Sequence, residues 1–120
     1  MVAKGIAEQG EWYSMEITKQ DWKLYREKLP IWQETYMEKL CKEYAEFLLS
    51  DKEASSKFWE LRDKINEDRK RPGVLAEMRK SNVIFDLAKL IHDGAIKKAD
   101  LEGFSGDLIE SVDRLLSINS

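Results

Sequence analysis

The sequence predicts an all-α fold, a helical bundle of four to six helices, from three observations. Only two prolines and six glycines interrupt its 120 residues. Apolar residues recur at intervals of three and four, which places them on one face of a helix. Hydrophobic residues make up 42% and charged residues of mixed sign 36%, which indicates a folded chain with one core. We expect a single helical domain over residues 18–120, preceded by a flexible N-terminal arm over residues 1–17.

The first helix is predicted to be long and to meet a proline. Thr18 followed by Asp21 is typical of a helix start, with a hydroxyl cap and an acidic first turn. Pro30 lacks the backbone N–H that a helix interior uses, so the helix either ends there and a second one begins, or continues with a kink. The apolar spacing keeps its phase across Pro30, which favours the kinked or nearly continuous helix.

An aromatic stripe follows this helix to about Leu49. Its steps of three and four place all members on one helix face. The stripe consists of Trp22, Tyr25, Leu29, Trp32, Tyr36, Leu40, Tyr44 and Phe47. Such a face is either the core side of the helix or a surface for a partner.

The middle of the chain is predicted to hold a second helix and a break. The second helix would begin with a capping box at Ser50, or with a cap at Ser55 or Ser56, and would end near Arg69. Its apolar face would comprise Phe58, Leu61 and Ile65. Pro72 and Gly73 form a strong break, followed by one or two helical turns over residues 74–80 with Leu75 and Met78 pointing inward.

The last third of the chain is predicted to supply the centre of the core. Residues 83–91 are apolar around most of a helix, as in a buried helix, and Gly94 suits a left-handed C-terminal cap. A single helical turn is expected over residues 98–102. Ser105 would cap a final helix, whose inward face is Leu108, Ile109, Val112, Leu115 and Leu116.

Several function classes have no support in the sequence. There is no catalytic motif, no glycine-rich phosphate loop and no set of metal ligands, so we expect neither an enzyme nor a cofactor or small-molecule substrate. His92 is the only histidine and Cys41 the only cysteine. The longest apolar runs are too short to span a membrane, and no export signal is visible, so a cytoplasmic location is expected.

The favoured function is a non-enzymatic protein–protein interaction module, such as an adaptor, inhibitor or assembly subunit. It would recognise a partner, or a second copy in a homodimer, through the aromatic helix face. The candidate partner-binding residues are Trp22, Tyr25, Trp32, Tyr36 and Tyr44.

The alternative function is a nucleic-acid-associated regulator that uses the basic segment 69–80. The candidate phosphate-binding residues are Arg69, Lys70, Arg71, Arg79 and Lys80. The formal net charge of −3 and the lack of interleaved aromatics count against nucleic acid as the main partner.

Overall fold

A computed structural model describes residues 17–118 and confirms the all-α fold with a long N-terminal helix. Two short 3₁₀ turns separate the later helices, at Lys80–Asn82 and Lys98–Leu101. The five α-helices are α1 (Lys19–Leu48), α2 (Ala54–Asp68), α3 (Pro72–Leu75), α4 (Val83–His92) and α5 (Gly106–Ile118). Of the predicted arm, Ile17 is buried in the core, and residues 1–16 lie outside the described residues.

Helix α1 is one continuous helix of 30 residues that includes Pro30. It begins as predicted, because the Thr18 hydroxyl oxygen accepts a hydrogen bond from the backbone N–H of Asp21 at 3.0 Å. Pro30 is exposed, so its ring faces solvent. The continuous phase of the apolar stripe was therefore a better guide than the usual helix-breaking effect of proline.

The core is built from α4, α5 and the N-terminal half of α1. Helix α4 is central, as predicted, but it buries one broad side and not its whole circumference, since Phe85 and Lys89 stay exposed. The buried side chains of α4 are Val83, Ile84, Leu87, Ala88 and Leu90. Tyr25 and Leu29 of α1 and Leu108 and Val112 of α5 pack in the same cluster. These contacts make residues 17–35 and 83–116 one packed unit.

Two glycines end the segments before α5, and one buried carboxylate of α1 bonds to the residue that caps α5. Gly94 and Gly103 end their segments with φ angles of 80° and 102°, which L-residues with side chains rarely adopt. The Ser105 hydroxyl accepts a hydrogen bond from the backbone N–H of Leu108 at 3.3 Å, which confirms the predicted cap of α5. The buried carboxylate of Asp21 accepts bonds from the backbone N–H and the hydroxyl of Ser105.

The C-terminal half of α1 and the whole of α2 form an antiparallel helical hairpin. The Tyr44 hydroxyl donates to the carboxylate of Asp68 at 2.6 Å, and the Lys57 ammonium group donates to the carbonyl of Leu48 at 2.7 Å. The longest dimension of the protein is 62 Å, because this hairpin extends away from the core cluster. These two hydrogen bonds connect α2 to α1 at both ends of the hairpin.

Two local predictions for the middle of the chain were wrong. Helix α2 begins at Ala54 after Glu53, without a side-chain cap, and the Ser50 hydroxyl instead donates to the carbonyl of Phe47. The turns expected over residues 74–80 are reduced to α3, after which the chain runs extended at Ala76. Leu75 and Met78 are consequently 56% and 42% exposed rather than inward.

Candidate interaction surface

The aromatic stripe of α1 is mostly used within the chain itself. Tyr25 and Tyr36 are buried, and Trp22 and Trp32 are partly buried against the core. The Tyr25 hydroxyl donates to the carbonyl of Glu77 at 3.1 Å, and burial raises the pKa of Tyr25. Tyr25 and Tyr36 are therefore not exposed to a partner, whereas Trp22 and Trp32 keep part of their surface accessible.

Tyr44 differs from the other four candidates, since it lies in the hairpin. Its ring is half-buried, and its hydroxyl is bonded to Asp68 of α2. Burial and the hydrogen bond to the Asp68 carboxylate raise the pKa of Tyr44. Of the five candidates, Tyr44 alone borders the hairpin surface described below.

Arg71 of the basic segment is paired with acidic side chains. The Arg71 guanidinium binds Asp93 at 3.0 Å and Asp68 at 3.6 Å, and it lies over the ring of Tyr36. The hydrogen bond to Asp93 raises the pKa of Arg71, so its charge is held inside an acidic network.

The other four basic residues lie on separate elements. Arg79 binds the carboxylate of Glu77 at 3.0 Å. Arg69 and Lys70 follow α2, whereas Lys80 begins the 3₁₀ turn before α4, and all three are exposed. Of the five candidates, Arg71 and Arg79 are therefore paired with acids, and Arg69, Lys70 and Lys80 form no ion pair among the described residues.

Helix α2 exposes several large apolar side chains. Phe58 is 65% exposed, Trp59 is 54% exposed and Ile65 is 43% exposed. No residue of α2 is buried within the described part of the chain. Phe58, Leu61 and Ile65 share one face, as the sequence predicted, but within residues 17–118 no other helix covers that face.

Helix α1 adds its own apolar residues beside this face. Met37, Cys41, Tyr44 and Leu48 follow one another at steps of four, three and four, so they share one side of α1. One depression is lined by Met37, Cys41 and Tyr44 from α1 together with Ile65 from α2. The two helices therefore present one continuous surface. We call it the hairpin face, comprising Met37, Cys41, Tyr44, Leu48, Phe58, Leu61 and Ile65.

The opposite side of the hairpin is polar. A second depression there is lined by Glu43, Lys64, Glu67 and Asp68, beside the edge of Tyr44. The ammonium group of Lys64 also lies 4.9 Å from the centre of the Phe47 ring. The hairpin is thus amphipathic as a unit, with one charged side and one apolar side.

Aromatic residues and an arginine stand at the outer edge of the hairpin face. The rings of Phe58 and Trp59 meet edge to face, with centroids 4.9 Å apart. The Arg62 guanidinium lies 5.0 Å from the centre of the Trp59 ring. Tryptophan and arginine side chains contribute a large share of the binding energy of many protein interfaces.

Sequence reasoning found half of this surface and missed the other half. The α2 residues were identified by their spacing, although they were expected to pack inward. Of the α1 residues, Tyr44 was a predicted candidate, but Met37, Cys41 and Leu48 were missed. The stronger stripe runs beside them, so that Met37 follows Tyr36 and Leu48 follows Phe47. The available signal was this second series at helical spacing, about a third of a turn from the first.

The structure and the comparisons with known proteins supply no chemical identity for the chain. Within residues 17–118, no group of three or more acidic, histidine or cysteine side chains is placed to hold a metal ion. No helix in the same range has the length and apolar character needed to cross a membrane. No family model matches the chain, and neither a curated protein nor a solved structure matches it.

Proposed function

We propose that the protein is a non-enzymatic protein–protein interaction module that self-associates through the hairpin face. The observation that carries the proposal is that α2 buries no residue within the described chain while it exposes Phe58, Trp59 and Ile65. A helix of a folded protein normally buries an apolar face of this kind. A partner would supply the cover that residues 17–118 do not.

The hairpin has the form of half a four-helix bundle. Its two antiparallel helices expose one apolar side. A second hairpin of the same kind, packed against that side, would complete a four-helix bundle. Homo-oligomers most often form twofold dimers, in which the same surface is used by both subunits. A second copy therefore needs no further surface beyond the hairpin face.

The proposed interaction surface is the hairpin face and not the aromatic stripe that the sequence predicted. Trp22, Tyr25, Trp32 and Tyr36 would serve the fold of each subunit, and Tyr44 would lie at the edge of the contact. Charged residues around the face would set its register and specificity. A cytoplasmic location and the absence of catalysis remain predictions from the sequence.

Sedimentation velocity on substituted proteins tests the site. Phe58→Ser and Ile65→Ser should shift the protein toward monomer without loss of helical circular dichroism, since both side chains are exposed. Leu75→Ser is the matched control, because Leu75 is 56% exposed and lies outside the hairpin face. Dimers that persist unchanged in the Phe58→Ser, Ile65→Ser double variant would contradict the proposed site.

The alternative function, a nucleic-acid-associated regulator, depends on the exposed residues Arg69, Lys70 and Lys80. It requires binding to a nucleic-acid duplex or single strand that weakens steeply as salt increases. Fluorescence anisotropy with labelled oligonucleotides at low salt tests it. No binding at low salt would remove this alternative.

A further inference from the structure

Charged residues of opposite sign border the two edges of the hairpin face. On α1, Glu34 and Glu38 lie on the outer side of Cys41, at helical spacings of seven and three residues from it. On the α2 side, Arg62 and the C-cap residue Arg69 lie on the outer side of Ile65, at spacings of three and four residues from it. The apolar surface therefore has an acidic edge along α1 and a basic edge along α2.

These edge charges are largely unused within one molecule. Among residues 17–118, Glu34, Glu38 and Arg69 form no ion pair, and all three are exposed. In the described part of the chain, Arg62 forms one ion pair, with the carboxylate of the adjacent Asp63 at 2.9 Å, and its guanidinium also lies near the Trp59 ring. Lys42 is also exposed but lies farther round α1 from the apolar surface than Glu38 does.

A second hairpin can cover this face with the twofold axis in either of two directions. With the axis along the hairpin, α1 of each copy lies over α2 of the other, so each acidic edge meets a basic edge. With the axis across the hairpin, α1 lies over α1 and α2 over α2, so edges of like charge meet. Juxtaposed like charges in an interface are unfavourable, and complementary charges select the partner and its orientation.

We propose that two copies associate with the twofold axis along the hairpin, so that Glu38 of each copy pairs with Arg69 of the other. This inference rests on the proposed self-association and specifies its geometry. Arg69 lines the same depression as Met37 and Cys41, so it stands at the same height along the hairpin as Glu38. A twofold rotation about this axis leaves the position of every residue along the hairpin unchanged. Glu38 of one copy therefore lies opposite Arg69 of the other.

The core cluster does not obstruct this arrangement. The core-facing residues of α1, such as Tyr25, Leu29 and Tyr36, are about a third of a turn away from Met37, Cys41 and Leu48. The packed unit formed with α4 and α5 therefore lies on a different side of α1 from the hairpin face. Both packed units would sit at the same end of the dimer.

Charge reversal tests the arrangement by mixing two variants. In Glu38→Arg, arginine would face Arg69 in both contacts of its homodimer, and in Arg69→Glu, glutamate would face Glu38. Each variant alone should therefore dimerise about tenfold more weakly than the unsubstituted protein. In the mixed dimer both contacts again join opposite charges, so an equimolar mixture should dimerise within about threefold of the unsubstituted protein.

Sedimentation velocity at low salt measures all three samples, and circular dichroism confirms that each variant is folded. Recovery in the mixture supports the inference, because a reversal that merely disturbed one subunit would not be repaired by the other variant. If the unsubstituted protein dimerises and the mixture shows no recovery, this arrangement is wrong while self-association stands. If the unsubstituted protein does not dimerise, both the proposed function and this inference fail.

Discussion

Asp21 is expected to contribute more to stability than any other charged side chain of the core. It is only 2% exposed, and its carboxylate accepts hydrogen bonds from the backbone N–H of Ser105 at 2.8 Å and from the Ser105 hydroxyl at 2.6 Å. Hydrogen bonds to charged groups contribute about 1.5–3 kcal/mol each. Both bonds share one partner residue, so we expect Asp21→Ala to lower the free energy of unfolding by about 2–4 kcal/mol rather than by their full sum.

Urea denaturation followed by far-UV circular dichroism measures this loss. Asp21→Asn keeps the shape and one acceptor oxygen, so it should cost about 1–2 kcal/mol. Ser105→Ala, combined with Asp21→Ala in a double-mutant cycle, should show a coupling energy of at least about 1 kcal/mol. A loss below about 0.5 kcal/mol for Asp21→Ala would refute the reasoning, because the two bonds would then be replaced by water at no cost.

Three further predictions concern single sites outside the hairpin face. Gly73→Ala should lower the free energy of unfolding by about 1–3 kcal/mol in urea, because a Cβ there would lie 2.5 Å from the Tyr36 ring, whereas Gly106→Ala, with open space around it, should not. Burial raises the pKa of the Asp86 carboxyl group, so the folded state binds the carboxyl proton more strongly than the unfolded state does. The free energy of unfolding therefore falls as pH rises from the ordinary carboxyl pKa through the raised pKa of Asp86. Asp86→Asn should therefore reduce the fall in Tm between about pH 4 and about pH 7, and an unchanged fall would count against a buried carboxyl. Pro30→Ala should raise stability by up to about 3 kcal/mol, because it restores a backbone donor inside α1, and a lower Tm would show that the proline ring is needed.

Local signals in the sequence were sufficient where one residue type has one physical use. Thr18 and Ser105 cap helices because their hydroxyl oxygens can accept the first free N–H groups. Gly94 ends α4 because its φ of 80° is unfavourable for other residues. The central position of α4 followed from the high apolar content of residues 83–91.

The orientation of α2 could not be predicted from the sequence. The spacing of Phe58, Leu61 and Ile65 identifies an apolar face, but periodicity does not say what the face contacts. The side of α2 that contacts α1 carries Lys57, Lys64 and Asp68, which bond to α1 through long-range pairs that no local pattern reveals. The candidate surface was therefore only half predicted.

The exposed side chains of Leu75 and Met78 could not be predicted from the sequence either. Leu75 and Met78 fit a helical inward face only if the helix continues past Leu75, and the chain instead becomes extended at Ala76. Gln33 of α1 donates to the carbonyl of Ala76 at 2.8 Å, which holds this extended turn against α1. A tertiary contact between residues 43 positions apart thus overrides the local helical preference.

The solution mass tests the central claim of self-association most directly. Multi-angle light scattering across a dilution series should show a mass of about twice 14.0 kDa at high concentration and a return toward 14.0 kDa on dilution. The Phe58→Ser, Ile65→Ser double variant should stay near 14.0 kDa throughout. A mass of 14.0 kDa at every concentration of the unsubstituted protein would contradict the account.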